Sequence, residues 1–251
     1  MKETAGLIEK ISLPNATHQH LEVSVDSTLI TLKPGQFLMA RVGETWEPYL
    51  RVPWIPVDSR AGRLIIERPM TEAYQVGQTI SLIGECGQLV RFRKGVRNVL
   101  FIAYDTPPTP LLMPIRLLLR NNVSTTLVLL GEAAQYGTKH LPPEVEVIHG
   151  DMDINWPNQV MTVGWADQVF VCVNPDDEPF RFAKIYERFA ERRNEIPKNY
   201  LFGLFQAGMA CGFGVCDACA VRVGNEVHLS CMTGPAFDLS LVKLSVAPSA
   251  E

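Results

Sequence analysis

Met209-Ala-Cys-Gly-Phe-Gly-Val-Cys-Asp-Ala-Cys-Ala220, read together with Cys231, sets four cysteines in the spacing C-x4-C-x2-C-x11-C. Thiolates at this spacing ligate a [2Fe-2S] cluster. The small residues and glycines between them allow a loop to wrap closely around an inorganic core and turn backbone N–H groups toward sulfur. Structural zinc and a disulfide framework remain alternatives for Cys211, Cys216, Cys219 and Cys231. Zinc sites usually pair one short knuckle with a second, whereas here three cysteines crowd into nine residues and the fourth stands alone. A chain of 251 residues has little need of covalent staples. Cys86 and Cys172 read as small buried hydrophobes, the common fate of an unpaired thiol.

Upstream of the cysteines the pattern divides in two. From Thr4 to about Leu89 come short β-rich runs, Leu7–Leu13, His20–Val25, Gln36–Val42, Arg63–Glu67 and Thr79–Ile83. Turn residues such as Lys33-Pro34-Gly35 and Ala61-Gly62 separate them, and no helical period intervenes, which predicts an antiparallel β-barrel. After about Gly95 strands alternate with helical segments. Asn98–Ala103, Thr125–Leu130, Val145–His149 and Asp167–Val173 read as strands, and Leu111–Asn121 has helical character. Glu178–Arg193 is amphipathic, with Phe182, Ile185, Tyr186 and Phe189 at helical spacing. That alternation predicts a doubly wound parallel sheet. The expected fold class is therefore β plus α/β. It comprises a flavin-type barrel over 1–95, a nucleotide-domain-like α/β unit over 96–198 and a small [2Fe-2S] module over 199–251.

A net charge of −4 with 20% charged residues excludes a broad basic surface, so nucleic acid is not an expected partner. No apolar run reaches the ~18–20 residues of a membrane helix, since Leu111–Leu119 is broken by Pro114 and Arg116. Met1–Gly6 has no export-signal h-region, and the expectation is a cytoplasmic protein. His18, His20, His140, His149 and His228 share no metal-ligand spacing and read as surface or strand-packing residues. His228, three residues before Cys231, could donate a hydrogen bond near a cluster. Neither a hydrolase elbow nor a G-x4-G-K-[ST] loop is present.

Barrel, α/β domain and C-terminal cysteine module, in this order, resemble the electron-transfer subunit of class B dihydroorotate dehydrogenase, within the ferredoxin-reductase-like flavoproteins. The likeness is most specific at Met209–Cys219 and at Cys231-Met-Thr-Gly-Pro-Ala-Phe-Asp238, which is similar to that family's C-x-x-G-P-x-F-D ending. It implies Cys211, Cys216, Cys219 and Cys231 as cluster ligands, FAD in the barrel, and electron transfer rather than substrate chemistry in this chain. The implied partner is an FMN-containing catalytic subunit, which oxidises dihydroorotate or a related substrate. The electron acceptor is left unknown.

The family's R-P-x-[ST] flavin signature is thinned in Tyr49-Leu-Arg-Val-Pro-Trp-Ile-Pro56. Pro53 matches, Arg51 sits one place early, and Ile55 replaces the hydroxyl residue. Trp54 is a candidate for stacking on the flavin, set against an ordinary core role. Arg68 and Thr71 are candidates for phosphate or ribityl contacts, in a stretch where Glu67-Arg68 and Met70-Thr71 stand for the family's tyrosine-arginine and Gly-Thr pairs. Where the family has a glycine-rich loop, this chain reads Ala103-Tyr-Asp-Thr-Pro-Pro-Thr-Pro110, and the downstream C-G-P signature has become Cys172-Val-Asn-Pro175. Prolines have no N–H to offer a pyrophosphate, and Asp105 adds an anion. NAD(H) is thus expected to bind weakly or not at all. Two alternatives accompany this reading: a flavin-free iron–sulfur carrier, and a subunit of a ferredoxin-linked NAD(P) oxidoreductase. A zinc-bound interaction module is the least favoured class.

Overall fold

A computed structural model describes residues 2–43, 50–193 and 195–244. The N-terminal strands are β1 (Lys2–Ser12), β2 (His18–Ser24), β3 (Phe37–Val42), β4 (Val52–Trp54), β5 (Pro56–Arg60), β6 (Arg63–Pro69) and β7 (Thr79–Cys86). They form one sheet in the order β4-β3-β7-β1-β2-β6-β5, antiparallel at every pairing. β4 and β5 lie at opposite edges, yet only Ile55 separates them along the chain. That continuity forces the two edges together and curls the sheet into a barrel. Alternate residues fill its interior: Leu21 and Val23 from β2, Leu64 and Ile66 from β6, Ile80 and Leu82 from β7. Each such side chain contributes about 1.5–3 kcal/mol by leaving water. The short strands β4 and β5 were not anticipated from sequence, because three and five residues around two prolines carry no readable alternation.

The second sheet runs β10-β9-β8-β11-β12-β15, from β8 (Asn98–Tyr104), β9 (Ser124–Leu130), β10 (Glu146–His149), β11 (Gln168–Val173), β12 (Leu201–Leu204) and β15 (Ala236–Asp238). Its first five members are parallel and β15 is antiparallel. Helices α1 (Thr109–Arg120), α2 (Gln159–Trp165) and α3 (Glu178–Arg192) accompany it. β8 and β11 are buried along nearly their whole length, as strands covered on both faces must be. α3 turns Phe182, Ile185 and Phe189 to the core, following the apolar spacing of its sequence.

The cysteine segment is not a detached appendix. Its flanking strands β12 and β15 pair with each other and complete the edge of the α/β sheet. Between them lie the cysteine loop, the hairpin β13 (Ala220–Val223) and β14 (Glu226–Leu229), and a single turn, α4 (Ser230–Thr233). The two large domains are also joined. Val57 and Ile65 of the barrel share a buried cluster with Leu111, Leu112 and Ile115 of α1. Beside it the buried Asp58 meets Arg120 at 2.8 Å and Arg116 at 3.9 Å.

Candidate functional site

The four cysteines converge. Cys211 and Cys216 bring their sulfurs to 3.3 Å, and Cys219 and Cys231 are buried neighbours in one cluster with Phe37, Met39, Cys86 and Met209. Burial alone raises a thiol pKa, yet around Cys211 the N–H groups of Phe213, Val215 and Cys216, with the Cys216 thiol, outweigh it and bring the value down to about 6. Burial and then the adjacent Cys219 side chain push Cys231 up to about 12, against the opposing N–H of Gly214. The loop thus has the N–H lining that stabilises thiolate charge, while crowding like groups whose repulsion a cationic core relieves. Donor identity, convergence and N–H lining all fit an iron–sulfur cluster.

Gly212 explains how the loop reaches the barrel. Its φ is +81°, and a Cβ placed there falls 2.3 Å from Met39 Cγ and 3.1 Å from Cys86 Sγ. Only glycine combines that conformation with that approach. Beyond β7, Gln88 N–H donates to the Gly234 carbonyl at 2.6 Å and Gln88 Nε2 to the Met232 carbonyl at 2.9 Å. Cys86 and Cys172 are buried, as expected from sequence. Cys86 nevertheless belongs to the wall of the cluster pocket, and burial, with Cys211 adding to it, raises its thiol to about 11. His228 lies 3.4 Å from Glu226 and from the Thr233 hydroxyl.

At the junction of barrel and α/β domain lies a groove of about 360 Å³ lined by Pro53, Ile55, Glu67, Arg68, Thr109 and Gln206, among others. Ile55 also packs against the cluster pocket, so one side-chain layer separates the groove from the cysteines. Of the residues assigned to a flavin from sequence, Pro53 and Arg68 line this groove. Arg68 is already held by Glu72, through Nε at 2.8 Å and Nη2 at 2.6 Å. Arg51 turns elsewhere, donating to the Ser81 carbonyl at 2.8 Å and to Glu3 at 2.6 Å. Thr71 is exposed and outside the groove's lining. Trp54 corrects the stacking expectation: it is fully buried in the barrel core, edge-on to Tyr74 at 5.8 Å, and presents no face to a ligand. Tyr49 lies outside the described residues. The groove therefore suits a flat, mostly apolar ring better than a diphosphate.

The loop after β8 has a different anion. Asp105 is buried, accepts the Glu132 N–H at 3.1 Å and pairs with Arg181. Its carboxylate sits beneath Gly131, where a Cβ would fall 2.0 Å from Oδ1. This loop leaves β8 at the point where the strand order reverses toward β11, the place where such sheets bind ligands. The cavity there, about 340 Å³, has the Asp105 carboxylate and Pro107 in its wall.

Sequence reading missed a polar cluster on the groove's flank. Glu67, whose side chain is fully buried, meets His20 Nε2 at 3.0 Å, the Thr109 hydroxyl at 2.6 Å and the Tyr136 hydroxyl at 2.7 Å. Burial opposes ionisation of Glu67, but these donors hold its carboxyl below the usual range. His140 Nε2 stands 4.0 Å from the same carboxylate. Of the signals available, only the odd acidic residue in Glu67-Arg68 pointed here. The histidines are 120 positions apart and give no spacing to read.

Residues 206–243 match the family model described as the iron-sulfur cluster binding domain of dihydroorotate dehydrogenase B. That span contains all four cysteines and constitutes an iron–sulfur cluster binding domain. No curated protein sequence matches the chain. Among solved structures, the fold is shared with one reported for flavin-based electron bifurcation by an NADH-dependent reduced ferredoxin-NADP oxidoreductase. That match has 17% identity and a TM-score of 0.72, over 95% of this chain and 90% of that one. A ferredoxin reductase in carbazole 1,9a-dioxygenase matches at 15% identity and TM-score 0.58, over 82% of this chain and 69% of that one. The cytochrome b5 reductase domain of Ulva prolifera nitrate reductase matches at 13% identity and TM-score 0.57, over 80% and 97%. The chain thus shares the fold of these structures over 80–95% of its length. No helix among the described residues is long and apolar enough to cross a membrane.

Proposed function

We propose that this chain is an electron-transfer subunit that relays electrons between a [2Fe-2S] cluster on Cys211, Cys216, Cys219 and Cys231 and an FAD seated in the groove between barrel and α/β domain. The observation that carries this reading is the double contact of Ile55, which lines the groove and packs on the cluster pocket. A flavin ring in the groove is thereby brought within one side chain of the cluster. When bound, the two groups supply one-electron and two-electron redox chemistry. The chain's own residues position and shield them. Met39, Phe37 and Cys86 wall off one side of the cysteine loop, the N–H groups of Phe213, Val215 and Cys216 face the Cys211 sulfur, and Pro53 with Ile55 presents an apolar face to the ring.

In this reading, substrate bonds are made and broken on an FMN-containing partner of the dihydroorotate dehydrogenase type. Phe213, Val215 and Met232, exposed near Cys211 and Cys216, suit the docking face for it. NAD(H) is not the terminal acceptor in this reading, because the cavity after β8 is lined by the Asp105 carboxylate and by Pro107, which has no N–H to offer a pyrophosphate. A second reading, a flavin-free iron–sulfur carrier, is favoured by the commitment of Arg51 and Arg68 to Glu3 and Glu72.

Anaerobic purification with iron, acid-labile sulfide and flavin analysis, followed by addition of NADH, tests these statements together. The expected result is two irons, two sulfides and one FAD per chain, with no rapid bleaching by NADH. Full cluster occupancy without extractable flavin selects the second reading. Rapid reduction by NADH, or colourless protein with stoichiometric zinc, overturns the proposal.

A further inference from the structure

Outside the cysteine quartet, one group of side chains among the described residues has the composition of a metal site. His20 on β2 is the register partner of Glu67 on β6, and His140 reaches them from the segment that follows the short 3-10 turn Gly131–Gln135 of the α/β domain. We propose that His20, Glu67 and His140 bind a divalent transition metal of the zinc type, which clamps the barrel to the α/β domain.

The geometry is that of converging ligands. His20 Nε2 lies 3.0 Å and His140 Nε2 4.0 Å from Glu67 Oε2, and all three ligand atoms fall within 4.8 Å of one another. In a tetrahedral zinc site with bonds of ~2.0–2.2 Å, ligand atoms stand ~3.3–3.6 Å apart. An ion therefore seats with side-chain shifts of about 1 Å or less. Two imidazoles and one carboxylate are a recurring zinc donor set, distinct from the thiolates that a cluster prefers.

Charge and packing point the same way. The side chain of Glu67 is fully buried, and those of His20 and His140 are 14% and 13% exposed. Arg68, the adjacent cation, is taken by Glu72. A carboxylate oxygen has two lone pairs. Glu67 Oε2 has His20 Nε2 and the Tyr136 hydroxyl on these, at 3.0 Å and 2.7 Å, and His140 Nε2, 4.0 Å away, meets the Tyr136 hydroxyl at 3.1 Å instead. A cation at their centre satisfies both imidazoles and the carboxylate at once, and leaves Tyr136 to meet a water in the fourth position. The Thr109 hydroxyl, bonded to the opposite oxygen at 2.6 Å, fixes the carboxylate so that Oε2 faces the histidines. The bland rival is a closed hydrogen-bond network with no ion.

The test uses cluster-loaded protein prepared without air, dialysed against a chelator and titrated with zinc chloride while iron and sulfide are followed. One zinc per chain should bind with iron unchanged, and the thermal midpoint should rise with zinc. H20Q and H140Q should each weaken binding at least tenfold and abolish that rise, while keeping the cluster spectrum. X-ray absorption at the zinc edge of the wild type gives a readout independent of the variants, with nitrogen and oxygen neighbours expected and no sulfur. Absence of stoichiometric uptake, uptake equal in both variants and wild type, or sulfur around the zinc with loss of iron would each overturn the proposal.

Discussion

The backbone N–H of Gly87 donates to the carbonyl of Cys231 at 2.8 Å, so the residue just past the last barrel strand is hydrogen-bonded directly to a member of the cysteine quartet. Barrel and cysteine loop are thereby registered to each other, and perturbation of one side is expected to reach the other.

Cys216 is the exposed member of the quartet and contributes little packing. Cys216→Ser should reduce iron and sulfide to a small fraction of wild type while far-UV circular dichroism stays near native, because the barrel keeps the Leu21, Leu64 and Leu82 core. Loss of the barrel's β signal in that variant would show that the cluster is needed to fold it.

Gly212→Ala places a methyl group against Met39 and requires a left-handed backbone of an L-residue. The expected cost is about 1–3 kcal/mol in unfolding free energy, with reduced cluster occupancy. Adding Met39→Ala should recover the steric part but not the backbone part, so a double-mutant cycle by denaturant melts separates them. Full recovery would refute the backbone contribution.

Glu178 opens α3 and accepts the N–H groups of Gln206 and Ala207, at 2.6 Å and 3.2 Å. Burial, only partly offset by these donors, raises its carboxyl from 4.5 to about 7. The folded chain then holds this proton more tightly than the unfolded chain. Stability from this group is accordingly greatest below pH 4.5 and falls as pH rises toward 7, by up to ~3 kcal/mol. Glu178→Gln keeps an acceptor oxygen and removes the charge, so its stability should be flat across that window relative to wild type and higher above pH 7. Identical pH profiles for the two proteins contradict the burial effect.

Asp58 is the carboxylate at the domain junction, with a side chain 4% exposed, whereas its partners Arg60 and Arg120 are 64% and 61% exposed. Arg116, beside it at 3.9 Å, is 12% exposed. Asp58→Ala strands that guanidinium at the junction. After discounting the exposed partners for solvent screening, the expected loss is about 1–3 kcal/mol. Burial opposes ionisation of Asp58, but the Arg60 hydrogen bond and the Ser59 N–H outweigh it and lower its pKa. Its stabilising contribution is therefore present above the ordinary carboxylate pKa and fades as acid protonates it. Urea melts at pH 7 and pH 3 should show the variant's deficit shrinking at the lower pH.

Much of the architecture was legible because local signals sufficed. The β-rich runs His20–Val25 and Arg63–Glu67 match β2 and β6, and the spacing of Phe182, Ile185 and Phe189 matches α3. The grouping of the four cysteines was legible for the same reason, since three of them lie within nine residues of a single loop. The flavin residues were less so. Motif position placed Arg51 and Trp54 near a ligand, but side-chain direction sends Arg51 to Glu3 and Trp54 into the barrel core, and direction is decided by strand pairing.

What the sequence determined by itself is the chemistry of the quartet and the order of barrel, parallel sheet and cysteine loop, because period and spacing are local properties of a chain. Only the tertiary structure decided that Cys86 packs beside the cysteine quartet, that Asp105 pairs with Arg181, and that His20 and His140 meet at Glu67. Those relationships join segments up to 145 residues apart. They arise when the burial of apolar faces brings the two domains together, and no local pattern along the chain encodes them.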